Sequence, residues 1–514
     1  MINWNIKRRT IALCMAAALL LTAAGCGGPK PDEDDGTSTV STGATESLDG
    51  TEGDAASQQE TASDAAGSTA DTASQGDASS KPVSSGSTAG QNDYVPKKVT
   101  LLLWDENTEA SAKGEWIRTR QAMFSKKYPE ITIKRIITPV QAGDAQGDRI
   151  AFTTAIAAGT APNAYSGGHF SVMPLWIQNG FAEPLDQYTK NWADFGSISK
   201  TALSSATVNG KVYGIPEYMY VLCLAYNKAL YKAAGLDPEK GPATWDELRE
   251  NAVKLTKPDK SQYGLALIGN STADWWYQLF AWQAGAELSS FDSKGKVSVN
   301  YTSAGAKKAL QFYQDLRFKY NVLQPDFSAT INSLQQDFAT GKCAQIIYSS
   351  HFYETMVGFG MKDENLGLAT LPVGPSGKQV TANGGAYWFI SSKGSADQKR
   401  AAWEYIKFMT SKEAQIEYYE TLEAYGSRSP IFSFYDDIDP SEYINFNRSW
   451  VNTFNQAMKS ARAESALVES LRPYLNKAVE SVLIDKNANI DALLAEAQRD
   501  AVNDVVNPYN SKIK

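Results

Sequence analysis

Histidine is almost missing from this chain of 514 residues, which holds two, His169 and His351. Cysteine is nearly as scarce, at four. No HExxH, no paired Cys-x-x-Cys and no histidine cluster occurs, which argues against a zinc or iron site. No GxSxG occurs to seat a nucleophile elbow. Gly377-Lys378 lacks the upstream glycine of a phosphate-binding loop, and no dinucleotide fingerprint is present. Neither a metal nor a cofactor is expected. A glycosidase-type carboxylate pair is harder to exclude, because 57 Asp and Glu residues make some pair inevitable. None stands in a local sequence that singles it out.

An excess of positive charge is also lacking. The formal net charge is −8, and it is unevenly spread. Residues 27–93 hold thirteen acidic residues against Lys30 and Lys81, whereas residues 94–514 hold 44 acidic and 44 basic residues. A balanced body gives no electrostatic footprint for nucleic acid. Residues 27–93 contain no aromatic residue and almost no branched apolar one. Such a composition cannot bury enough surface to offset chain entropy, so disorder is expected. As a flexible coil its 67 residues average roughly 45–50 Å end to end.

What is present begins at the N-terminus. Lys7-Arg8-Arg9 precede an apolar run from Ile11 to Ala24. Fourteen residues are too few to span a bilayer, which needs ~20, and the pattern reads as a signal peptide over 1–25. The stretch Ala23-Ala24-Gly25-Cys26 resembles a bacterial lipobox, with Ala23 where leucine is usual. The resemblance implies cleavage before Cys26 and acylation of its thiol, palmitate being one such acyl chain. Ordinary secretion with an incidental cysteine is the competing reading. On the lipoprotein reading Cys26 is a membrane anchor and 26–93 a tether. Cys223 and Cys343 remain in the body, in apolar strand-like stretches. They are expected as buried free thiols, with a bridge left open.

From Val99 onward strands alternate with helices, the pattern of an α/β sheet with right-handed crossovers. VTLLLW (99–104), ITIKRII (131–137), VLCLAYN (221–227), KCAQIIY (342–348) and AYWFIS (386–391) read as strands. Helices are expected over 110–127, after the Thr244–Glu247 capping box, after Ser303, after the Ser395–Gln398 box, and over much of 450–505.

Several separated stretches resemble one family. They are FSKKYPEITIKRI (124–136), AIAAGTAPNAY (155–165), GFAEPLDQY (180–188), NGKVYGIPEYMYVLCLAYNKALYKAAGL (209–236), TWDEL (244–248), FATGKCAQIIYSSHFY (338–353) and the strand after Gly384-Gly385. Together they resemble the extracellular solute-binding proteins of ABC importers, in the carbohydrate-binding group related to maltose-binding protein. The resemblance implies an α/β, two-lobed periplasmic-binding-protein-like (type II) fold with a hinge and an interlobe ligand cleft. It implies crossings near 217–222, 381–387 and 430–440. Lobe 1 is then 94–219 plus 385–430, and lobe 2 is 220–384 plus 431–514. The implied function is capture of a sugar or oligosaccharide and its delivery to ABC permease subunits, without catalysis. A monomer at the outer face of the cytoplasmic membrane, in a Gram-positive host, is expected. An extracellular glycan-active hydrolase, a receptor for another solute such as a polyamine, and a surface adhesin stay open as alternatives.

Ligands of open α/β sheets sit beyond the carboxyl ends of strands. That rule points to Trp104, Asp105 and Glu106 after the first strand, where a ring face and carboxylates suit a sugar. A core Trp104 beside solvated acids is the alternative. His169 follows the Gly167-Gly168 turn. Tyr218 and Tyr220 share one face of the expected hinge strand by period-two alternation. Trp275 and Trp276 lie about 100° apart on a helix, so at least one is expected outside the core. Ser350 and His351 follow the IIY strand. Gly385, Trp388 and Arg428 complete the candidates, with strand packing or a pinned loop as their plainer readings.

Overall fold

The computed structural model describes residues 94–105, 112–137, 152, 154–169, 173–204, 206–270, 272–427, 432–445 and 447–513. The expected signal, Cys26 and the tether lie outside the described residues, as do Glu106 and Arg428. For His169 the backbone is described and the side chain is not.

Val99–Asp105 (β1), Ala112–Lys127 (α1) and Ile131–Ile137 (β2) make a βαβ unit. β1 and β2 run parallel, in register from Val99↔Ile131 to Asp105↔Ile137. Leu101 and Leu103 of β1 share a core with Trp116, Ile117 and Phe124 of α1. The helix stops at Tyr128-Pro129, where proline disfavours a helical conformation in the residue before it. Ala164–His169 (β3) lies parallel on the other side of β1.

The strand expected over 221–227 is longer. Gly214–Asn227 (β4) is one continuous strand of 14 residues. Trp245–Leu255 (α2), Ala273–Gln283 (α3) and Ala304–Gln314 (α4) follow, then the strands Gln345–Ser349 (β5), Leu366–Ala369 (β6) and Thr381–Ile390 (β7). Ala396–Thr410 (α5), Lys412–Ala424 (α6), Arg448–Met458 (α7), the short strand Ala461–Arg462 (β8), Val468–Ile484 (α8) and Ile490–Ala501 (α9) complete the elements used below. Ser395 caps α5 in a reciprocal capping box with Gln398. Thr244 caps α2 through the Glu247 N–H, but the Glu247 carboxylate accepts from Ala243 N–H rather than closing a box on Thr244.

The main path through the sheet runs β6-β4-β7-β3-β1-β2, with β5 on β4 and β8 on β7. Two apolar cores flank it. The first holds Leu101, Phe124, Trp176, Met219, Trp388 and Trp403. The second holds Val221, Trp276, Tyr313, Ile346, Tyr348 and Leu475. β4 leaves the first core at Met219 and enters the second at Val221. β7 makes the return, from Ala382 in the second core to Tyr387 in the first. The two strands pair antiparallel where they cross, with Tyr220↔Gly384 and Tyr218↔Ala386, and a bulge follows at Tyr387. A later segment crosses again, from Phe434 and Tyr435 in the first core to Trp450 and Phe454 in the second. Two cores joined by narrow backbone crossings are the anatomy of a hinge. Among the described residues no helix is long and apolar enough to cross a membrane.

Candidate functional site

The crossing strands carry a row of polar and aromatic side chains. Along β4 the side chains alternate between faces, so Tyr218 and Tyr220 share the face opposite Met219. Met219 is buried, whereas Tyr218 and Tyr220 are half-buried. A cavity of about 730 Å³ lies on the Met219 side, lined by Ser199, Phe432, Tyr435, Phe454 and Met458 among others.

Beside Tyr218, the carboxyl ends of β1 and β3 place Asp105 next to Ser166. Asp105 is 1% exposed and pairs with Arg135 Nε at 3.0 Å. The Ser166 hydroxyl donates to Glu217, and Lys113 in the first turn of α1 forms an ion pair with the same carboxylate. The Lys113 ammonium also stands 4.7 Å from the centroid of Tyr218. Burial works to lower the basicity of Lys113, but the charges of Glu217 and Tyr418 and the Glu217 hydrogen bond outweigh it and hold the ammonium above the ordinary lysine range. Trp104 is half-buried and edge-on to Phe152 and Tyr165, at 6.4 and 6.3 Å. Its Nε1 is buried with no hydrogen-bond partner among the described residues.

Beside Tyr220 the groups come from the second core. Its ring is T-shaped to Trp275 at 6.3 Å and to His351 at 5.0 Å. His351 is exposed, and its Nδ1 shares a 2.7 Å hydrogen bond with Ser349 Oγ. Trp275 is half-buried, with an indole N–H that has no partner among the described residues. Burial pushes the Tyr220 hydroxyl well above the usual phenol range, and the charges of Glu464 and Glu469 add to the shift while Arg472 opposes it. Gly384 seats this ring: a Cβ there would stand 2.3 Å from the Tyr220 hydroxyl oxygen.

Four sequence candidates, Trp276, Trp388, Gly385 and Ser350, are placed in the packing rather than at the wall. Trp276 is wholly buried in the second core, so it offers no face to a ligand. Trp388 is 2% exposed, packed edge-on to Tyr405 at 5.7 Å, and its neighbour Tyr387 is also buried, donating to Ala202 O at 2.6 Å. Neither member of that pair lines a cleft, because β7 is buried on both faces along its whole length and both rings belong to the first core. Gly385 has a packing reason instead: a Cβ there would meet the Tyr218 carbonyl oxygen at 2.1 Å. Ser350 is buried at 3% exposure, beside the exposed His351. Cys223 and Cys343 are buried free thiols.

Sequence reading missed Lys113, Arg135, Ser166 and a buried ionic group on α3 and α8. Arg472 Nε pairs with Asp274 at 2.9 Å, and its Nη1 pairs with Glu469 at 2.7 Å. No local pattern announces such pairs, since Asp274 and Arg472 stand 198 residues apart. Burial pushes the Asp274 carboxyl up to about 6 against the pull of Arg472. A raised carboxyl contributes stability that is complete below its ordinary value near 3.8 and is lost as pH rises through about 6. Asp274→Asn is therefore expected to show a smaller loss of melting temperature between pH 5 and 7.5 than the parent does, in paired thermal melts.

Two α/β lobes on paired crossing strands, with aromatic and polar groups gathered at the crossing, define a hinged receptor. A family model described as bacterial extracellular solute-binding protein matches residues 104–416. A mannitol-binding protein of Pseudomonas aeruginosa is 25% identical over 311 residues, 56% of this chain and 64% of that protein. An ABC transporter solute-binding protein of Thermotoga lettingae, bound with α-D-tagatose, superposes with a TM-score of 0.66 at 22% identity, over 81% of this chain and all of that one. The maltose-bound T. maritima MalE3 gives 0.63 at 22% identity, over 78% and 98%. The chain belongs to the bacterial extracellular solute-binding proteins, which serve ABC transporters, and its fold is the two-lobed type II periplasmic-binding-protein fold.

Proposed function

We propose that this chain captures a sugar or oligosaccharide between its lobes and hands it to an ABC permease, without catalysing a reaction. The observation that carries this reading is the aromatic wall at the hinge: Tyr220 edge-on to both the half-buried Trp275 and the exposed His351. Ring faces stack on sugar C–H groups, and an exposed imidazole suits a hydroxyl. The charged groups nearby already pair inside the protein, as Asp105–Arg135, Lys113–Glu217 and Asp274–Arg472 do, which favours a neutral solute over a polyamine. The relatives carrying mannitol, tagatose and maltose support the same class. Trp104, Tyr218, Tyr220, Trp275 and His351 are the contacts we favour; Asp105, buried and held by Arg135, is left out of them. The lobes are 94–219 with 385–430 and 220–384 with 431–514, Phe434 and Tyr435 staying anchored on the first core. Cys26 anchors the receptor by lipid to the outer face of the membrane, and the acidic tether gives it reach.

Thermal unfolding against mono- and oligosaccharides, with polyamines and amino acids as controls, tests the substrate class. A ligand at 100 times its dissociation constant should add about 2.7 kcal/mol of stability. A shift with a polyamine and none with any sugar would overturn the class. Gly384→Ala is expected to swing the Tyr220 ring aside and weaken binding of the sugar that shifts the parent, with the variant still folded by circular dichroism.

A further inference from the structure

The C-terminal helix α8 reaches the candidate ligand wall through one side chain. Arg472 is buried, with 6% of its side chain exposed, and it holds Asp274 and Glu469 at once. Asp274 sits in the first turn of α3, one residue before Trp275. Its backbone N–H donates to Asn476 Oδ1 at 2.7 Å, so α8 grips the start of α3 twice, by charge and by backbone. A third tie joins Ser465 N–H to Gln278 Oε1 at 3.2 Å, one turn further along α3. The other Asp274 oxygen, Oδ2, is buried with no hydrogen-bond partner among the described residues. The charges of Glu464, Glu469 and Arg472 all act on the hydroxyl of Tyr220, which is edge-on to Trp275.

We propose that Arg472 is a positioning residue for Trp275: it fixes the first turn of α3, and through it the indole that meets the ligand. The inference rests on the reading of Trp275 as a ligand contact. It makes the C-terminal helices part of the binding apparatus, although no residue of α8 need touch the solute. A guanidinium bridges two carboxylates with a planar fork, which an ammonium reproduces only in part. Charge alone therefore restores less than the parent geometry.

The test is ¹⁹F NMR of the full chain labelled with 5-fluorotryptophan, the Trp275 resonance being assigned by its loss in Trp275→Phe. In Arg472→Gln that resonance should shift or split, while those of Trp176 and Trp403 in the other core stay in place. Arg472→Lys should return it partway. Asn476→Ala removes the backbone grip while leaving the Arg472 ion pairs in place, and should move the same resonance less. Maltotriose, used as the probe sugar, should bind Arg472→Gln at least roughly tenfold more weakly, as about 1.4 kcal/mol of lost positioning would give. A Trp275 resonance unmoved in both Arg472→Gln and Asn476→Ala overturns the proposal. If Arg472→Gln does not fold, Asn476→Ala decides alone. If Trp275 moves and maltotriose binding does not, positioning stands and the ligand-platform reading fails.

Discussion

Trp275→Ala is expected to weaken sugar binding by at least about 2 kcal/mol, roughly thirtyfold, while the protein stays folded. The side chain is half-buried at the edge of the second core and stands at the wall with Tyr220, so its removal opens less of the core than removal of a wholly buried ring. Its neighbour should behave in the opposite way. Trp276 is wholly buried, and Trp276→Ala should cost about 3–5 kcal/mol of stability by leaving a cavity. Isothermal titration and urea denaturation of both variants separate the two effects. Equal affinity losses in the two, or a Trp275→Ala protein that binds like the parent, would take Trp275 out of the site.

The second large effect concerns the ion pair on the other side of the hinge. Lys113→Met should destabilise the protein by about 3–5 kcal/mol, because it removes the cation paired with a carboxylate that is out of water. The Glu217 side chain is 5% exposed, and Lys113 is the cation that balances its charge in this ion pair. Adding Glu217→Gln to Lys113→Met should return much of the loss, since the buried charge is then gone. Urea midpoints of the two single variants and the double variant check this. Additive losses would mean that the two groups do not act as a pair.

The sequence already held most of the frame. ITIKRII read as a strand because its apolar residues are β-branched and follow a Tyr-Pro stop, and β2 has those bounds. The hinge was legible only as a resemblance. VLCLAYN showed a strand, but nothing in its pattern said that the strand begins seven residues earlier and serves two cores. The layout of the candidate site was legible where alternation decides: Tyr218 and Tyr220 share the half-buried face opposite Met219. It was illegible where partners are remote: Lys113 and Glu217 lie 104 residues apart, and Asp274 and Arg472 lie 198 apart. Adjacent tryptophans told that one should leave the core, not which one. Trp388 misled, because β7 is buried on both faces, so strand packing takes the ring whichever face it points to.

Small-angle scattering of the full chain, with and without the sugar that gives the largest thermal shift, tests the receptor account most directly. The account calls for a smaller radius of gyration with sugar, as the lobes rotate about β4 and β7, and for the sugar to be recovered unchanged by chromatography. A radius that stays fixed with sugar bound, or a cleaved sugar, would contradict it.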